Sequence, residues 1–210
     1  EKTPPFEPTA KTVKNIDTRL EVRPIDLRRK PLQHIFNARS LVLKSIRDYF
    51  YSQKFTEINT PKMIATATEG GAALFAIFYY NKEAFLAQSP QLYKEQLTMS
   101  FEKVFEIAPI FRAESSRTNR HLAEAISIDL EEAFVDYNDV MDRIEELIKI
   151  SIKTVNDYVT NNPDAEFIYG NCEHISNNSL QIKTPIKDPE KLCFGPLFNT
   201  QSPIKKSLYY

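Results

Sequence analysis

The sequence predicts an α+β domain, a mainly antiparallel sheet flanked by helices. Three observations carry this reading. Val104 to Val135 reads as a long hairpin whose second half alternates apolar and polar residues with a period of two. Two long segments, Pro31 to about Gln53 and about Asp136 to Val159, repeat apolar residues at helical spacing. A second pair of strand-like runs, Leu74 to Tyr80 and Ala84 to Ala87, is joined at Asn81-Lys82 into a shorter hairpin.

In chain order, Glu1 to Arg29 holds Pro4, Pro5, Pro8 and Pro24 and no sustained period, so it reads as an extended lead-in or linker. The basic run Arg28, Arg29, Lys30 reads as a solvated helix start in preference to a nucleic-acid contact. Pro31 suits a first helical position, and Leu32, Ile35, Phe36, Val42, Leu43, Ile46 and Phe50 form the apolar stripe behind it. A short strand, Phe55 to Ile58, stops at Thr60-Pro61, because proline cannot donate to a sheet ladder. This helix, strand and proline fit a dimer interface and fit packing on the chain's own sheet equally well.

Thr66 to Gly71, TATEGG, is a loop that sets Glu69 beside Gly70 and Gly71, where a ligand can approach the backbone closely. Taken alone it is an ordinary turn with a solvated glutamate. Gln88-Ser89-Pro90 leads into a helix on which Gln91 and Lys94, three apart, share a face. Lys94 there either neutralises a carboxylate ligand or pairs at the surface with Glu95 or another neighbour.

In the central hairpin, Ile126, Ile128 and Leu130 lie on one face and Ser127, Asp129 and Glu131 on the other. The turn-rich loop Ser115 to Asn119 brings Arg112, Glu114, Arg120, His121 and Glu124 near one end. A fixed guanidinium beside a fixed carboxylate suits a ligand with a phosphate and an exocyclic amine. Asp136 or Asn138 caps the next helix, which Asn161, Asn162 and Pro163 end. Beyond it, Ser179 to Pro185 reads as a strand, and Lys187 to Tyr210 has no clear period.

Bulk properties narrow the classes. The 210 residues carry a net charge of −1, so no global basic field draws the chain to nucleic acid, and any such contact is local. No apolar run is long enough to span a membrane, and no signal peptide is visible. Cys172 and Cys193 show no CxxC pairing, which fits a reducing, cytoplasmic compartment. With His174 they make three metal-ligand candidates, at a spacing that fits no structural zinc pattern. Only four glycines are present, with no P-loop and no GxGxxG, so side chains, Arg112 first, must hold the phosphates of any nucleotide.

Four segments in order resemble the catalytic core of class II aminoacyl-tRNA synthetases, and within them the aspartyl-tRNA synthetases of archaeal and eukaryotic type. FTEINTP, Phe55 to Pro61, resembles the end of motif 1, whose proline lies at the family's dimer interface. FRAE, Phe111 to Glu114, with RHLAE, Arg120 to Glu124, resembles motif 2. TEGG, Thr68 to Gly71, and QSPQLYK, Gln88 to Lys94, resemble the amino-acid pocket of the aspartate enzymes. The resemblance covers about Asp17 to Val159.

It implies a homodimeric ligase that uses ATP and Mg²⁺ to join L-aspartate to tRNA. Arg112 would touch the α-phosphate and the amino-acid carboxylate, and Glu114 the adenine amino group. Arg120 and His121 would hold the outer phosphates, with Leu122 beside them on the ATP side. Glu69 and Gln91 would bind the α-amino group and Lys94 the β-carboxylate. Residues 1–29 would be the lead-in after an anticodon-binding domain, and residues 30–210 a partial catalytic domain. The family's glycine-rich motif 3 and acidic Mg²⁺-binding stretch have no match here, and Ala125 stands where many relatives carry an aromatic that stacks on adenine. The chain therefore reads as a fragment, a gapped chain or a reduced paralogue. Two alternatives accompany the ligase: a tRNA-independent paralogue that adenylates aspartate to make asparagine, and a non-catalytic dimeric module.

Overall fold

A computed structural model of the chain describes residues 5–7, 9, 15–66, 74–113 and 122–165. Its helices are α1 (Ile16–Glu21), α2 (Arg23–Asp26), α3 (Lys30–Ser52), α4 (Gln91–Phe101) and α5 (Tyr137–Asn161). Its strands are β1 (Thr56–Glu57), β2 (Met63–Ile64), β3 (Ala76–Tyr79), β4 (Lys82–Leu86), β5 (Lys103–Phe111) and β6 (Glu124–Glu132). The chain divides into two compact units, one from the described residues up to Ile46 together with those from Ile148, the other from Arg47 to Leu147. Helices and mainly antiparallel sheets agree with the α+β expectation. No helix among the described residues is long and apolar enough to cross a membrane.

The second unit is built on the long hairpin. β5 and β6 pair antiparallel from Lys103↔Glu132 to Phe111↔Glu124. Residues directly opposite in such a pair point to the same face. Phe105, Ile107, Phe111, Ile128 and Leu130 therefore share one face, and Glu106, Ala108, Ser127, Asp129 and Glu131 the other. The alternation read from the sequence holds. On the apolar side Phe50 stacks on Phe105 with ring centroids 4.4 Å apart and leans on Phe55 at 5.2 Å. All three rings are buried. Each contributes roughly 1.5–3 kcal/mol of transfer free energy.

β1 pairs with β5 in parallel, Thr56↔Val104 and Glu57↔Phe105. A two-residue strand carries no signal of its direction in the sequence. β2, β4 and β3 form a second, antiparallel sheet. The expected hairpin is present, but it turns at Tyr80-Asn81, and Lys82 is already in β4 opposite Tyr79. Lys54, Tyr80, Glu102 and Phe134 all have φ between 54° and 63°. In a chain this poor in glycine, ordinary residues take the left-handed corners, at roughly 1–3 kcal/mol each.

Glu132 anchors the start of α5 to the sheet. Its buried carboxylate accepts from Arg143 Nε at 3.1 Å and Nη2 at 3.2 Å and pairs with Lys103. Burial pushes this carboxyl up, but the hydrogen bonds from Arg143 and Lys103 outweigh it and hold the pKa below the usual glutamate value. Asp136 caps α5 as expected, accepting from the backbone N–H of Asn138 at 2.7 Å.

In the first unit the lead-in departs from expectation. It is not an extended linker throughout: α1 and α2 form within it, and Asn15 caps α1 by accepting from Asp17 N–H at 2.8 Å. Helices of six and four residues cannot hold themselves in water. Asp26 supplies what the local pattern lacks. Its carboxylate is fully buried and bonds Arg19 at 3.1 Å, Arg23 at 2.6 Å and Arg29 at 3.3 Å. Burial pushes the Asp26 carboxyl up, and the hydrogen bonds from Arg19 and Arg29 with the charges of Arg19 and Arg23 more than reverse it. Arg29, expected to be solvated, is thus one arm of an ion-pair cluster.

Ala38, Val42 and Ile46 of α3 are buried, whereas Phe36, placed in the same stripe from the sequence, is exposed. Val155 and Val159 of α5 are buried. His34 Nδ1 meets the Tyr158 hydroxyl at 2.8 Å, and Thr154 donates to the Ser45 hydroxyl at 3.0 Å, so both helices share polar contacts inside this unit.

Candidate functional site

The site begins with the polar face of the β5–β6 pair. Past Phe111↔Glu124 the ladder gains one more bond, from Arg112 N–H to Ala123 O at 3.0 Å. The period of two then sets Arg112 on the face of Glu106, Ser127, Asp129 and Glu131. Arg112 is half-buried, and so is Leu122, one residue before its cross-strand neighbour.

Helix α4 lies over the same face. Its entry, Gln88-Ser89-Pro90, is buried, and Ser89 Oγ accepts from Gln91 N–H at 3.3 Å. One turn in, Lys94 is only 9% exposed, although its type is rarely buried. Its ammonium lies 3.4 Å from Asp129 Oδ1, 3.4 Å from Glu131 Oε2 and 3.3 Å from Leu130 O. Ser127 donates to the other oxygen of Asp129. Lys94 is not at the surface and does not pair with Glu95, but it does pair with other neighbours, Asp129 and Glu131. Glu95 instead takes the amide N–H of Gln91, one turn before it.

The Lys94 contacts are long. Ammonium–carboxylate bonds are normally about 2.7–2.9 Å. A desolvated cation shared at 3.4 Å between two carboxylates can tighten onto an incoming anion without breaking a strong bond first. Gln91, with its amide N–H engaged by Glu95, keeps its carbonyl oxygen as the acceptor an ammonium group needs.

The structure thus brings Arg112, Lys94, Asp129 and Glu131 to one sheet face. Asp129 and Glu131, the Lys94 partners, were legible only as part of an alternating polar stripe. Glu69, Glu114, Arg120 and His121 lie outside the described residues, as do Cys172, His174, Cys193 and the expected strand Ser179 to Pro185. Among the described residues no group of three or more His, Cys, Asp or Glu side chains could hold a metal ion, so none is assigned to magnesium.

One buried ammonium, a half-buried guanidinium and two partly buried carboxylates gather on the face of an antiparallel sheet under a helix, an arrangement that can take a small charged ligand. The chain belongs to the class II tRNA synthetases of the D, K and N group, whose family profile matches residues 15–191. That match takes in α1 and α2. The chain is 53% identical over 151 residues to the aspartate–tRNA(Asp/Asn) ligase of Sulfurisphaera tokodaii, covering 72% of this chain and 35% of that protein. It is 52% identical over 160 residues to the aspartate–tRNA(Asp) ligase of Pyrococcus horikoshii, covering 75% and 36%. In structure it is similar to the asparaginyl-tRNA synthetase of Pyrococcus horikoshii complexed with asparaginyl-adenylate. The TM-score there is 0.66 and the identity 32%, over 70% of this chain and 34% of that one. The chain spans about a third of the length of the curated relatives it matches.

Proposed function

We propose that this chain is part of an aspartate–tRNA ligase and holds the centre that activates L-aspartate with ATP, which enters with Mg²⁺. The observation that carries the reading is Lys94, a buried ammonium on the same sheet face as Arg112. In the reaction an α-carboxylate oxygen of aspartate attacks the α-phosphorus of ATP. A new O–P bond forms, the bond to the β-phosphate oxygen breaks, and pyrophosphate leaves. A ribose hydroxyl of tRNA then attacks the aspartyl carbonyl carbon, an ester forms, the acyl–phosphate bond breaks and AMP leaves. The first step needs positioning and cationic stabilisation of developing charge, with no protein nucleophile.

In this reading Arg112 faces the α-phosphate and the amino-acid carboxylate. Glu114 holds the adenine amino group, and Arg120, His121 and Leu122 line the ATP side. Glu69 and Gln91 take the α-amino group, and Lys94 takes the β-carboxylate. The family resemblance supports these roles, and so does the common face of Arg112 and Lys94.

The test is amino-acid-dependent exchange of pyrophosphate into ATP, followed by charging of tRNA, with the complete protein. Aspartate is expected to drive exchange and be transferred. Exchange driven by another amino acid in its place would overturn the substrate. We further propose a homodimer in the cytoplasm, built on α3 and the segment ending at Pro61, since a closed two-fold interface is the commonest oligomer. Light scattering at micromolar concentration is expected to give twice the chain mass, and a monomer would contradict it.

A further inference from the structure

We propose that Glu106 is a positioning residue, and that with Lys62 it sets the distance between the amino-acid side of this site and its phosphate side. The inference rests on the activation chemistry proposed above.

Glu106 lies in the middle of β5 and is 2% exposed. Its carboxylate is fully engaged by a chain segment far away in sequence. Thr60 donates its backbone N–H to Oε1 at 2.7 Å and its hydroxyl to Oε2 at 2.8 Å. The Lys62 ammonium donates to the same Oε2 at 2.8 Å and to the Thr60 hydroxyl oxygen at 2.8 Å. These are the short bonds expected of charged partners, unlike the long contacts of Lys94. A leucine would fill this space with less desolvation cost. What the carboxylate adds is direction.

The bonds continue. Lys62 O accepts from Ala87 N–H at 3.0 Å, and Ala87 O accepts from Phe111 N–H at 2.9 Å. The path leaves β5 at Glu106, crosses Thr60 and Lys62 to the end of β4, and returns to β5 at Phe111. It is a closed ring of hydrogen bonds and chain between the two sheets of this unit. The residue after Phe111 is Arg112. The residue after Ala87 is Gln88, which opens the buried entry to α4 and so to Lys94. If the Glu106 corner loosens, β4 and α4 shift against Arg112 as a body. Each half of the site stays intact while their spacing changes. A displacement of about 1 Å between reacting groups can cost on the order of a hundredfold in rate.

Glu106→Gln in the complete protein is the test. The amide keeps one acceptor for Thr60 N–H but turns an N–H₂ group towards the Lys62 ammonium. In pyrophosphate exchange kcat is expected to fall about tenfold or more, with KM for aspartate and for ATP each within about threefold of wild type. Adding Lys62→Met removes the opposed cation and is expected to restore several-fold of the lost kcat. A lower melting temperature with unchanged kcat would make Glu106 a structural filler and overturn the proposal. Should Glu106→Gln fail to fold, Lys62→Met alone decides: a several-fold loss of kcat at unchanged KM supports the brace, and wild-type kcat overturns it. Wild-type exchange with each standard amino acid separates this inference from the substrate. If another amino acid drives exchange, aspartate is overturned and the brace is judged on that amino acid. If none does, both fall.

Discussion

Replacing Arg112 with alanine in the complete protein is expected to lower aspartate-dependent pyrophosphate exchange by on the order of a hundredfold or more. The argument starts from composition. Four glycines and no phosphate-cradling loop leave side chains to meet the charge that develops on the α-phosphate. Arg112 follows the end of β5, its N–H bonded to Ala123 O one step past the last pair of the β5–β6 ladder. A guanidinium whose backbone is tied to the end of a sheet needs less reorganisation in the transition state, and its fork can span a phosphate and a carboxylate together. The loss is expected mainly in kcat. Exchange within a few-fold of wild type would sink the assignment of Arg112.

The second large effect concerns which amino acid is chosen. Aspartate and asparagine are nearly isosteric, so shape separates them poorly, and charge must do it. In the proposed reading Lys94 would offer a buried ammonium to the β-carboxylate of aspartate and meet only a dipole in the amide of asparagine. With asparagine the ammonium keeps only its long contacts to Asp129 and Glu131, so what aspartate adds is one short charge-assisted hydrogen bond, worth about 1.5–3 kcal/mol, roughly tenfold to a hundredfold in discrimination. The neighbours sharpen the argument. Asp129 and Glu131 both face Lys94 at 3.4 Å, so without the lysine two carboxylates remain against the incoming one. Lys94→Leu is therefore expected to collapse aspartate activation and remove most of the preference over asparagine. The same variant is expected to bind asparagine with smaller loss, because Asp129 and Glu131 can accept from an amide. The comparison of kcat/KM for the two amino acids checks this, and unchanged aspartate kinetics would reopen the substrate question.

Much of the fold was legible because it rests on local periods. Alternation from Ile126 to Glu131 set the faces of β6, and the helical spacing behind Pro31 and Asp136 located α3 and α5 to within a residue or two. The short α1 and α2 were not legible. Their stability comes from the Asp26 cluster, and no propensity window contains a buried carboxylate with three arginines. The resemblance of FTEINTP, FRAE and QSPQLYK pointed to the family because those segments carry order as well as composition.

The candidate site divides along the same line. The sequence by itself determined which groups are available, Arg112 beside a strand end, Lys94 on a helix and a stripe of Ser127, Asp129 and Glu131, since residue type and period are local properties. Only the tertiary structure decided that Lys94 is buried against Asp129 and Glu131 and that Gln91 turns to Glu95. It alone closed the ring from Glu106 through Lys62 and Ala87 to Phe111. These contacts join residues 35 to 46 positions apart in the cases of Lys94–Asp129, Lys62–Glu106 and Thr60–Glu106. At such separations a pairing is set by the packing of sheet on sheet and helix on sheet, and no repeat within one segment encodes it.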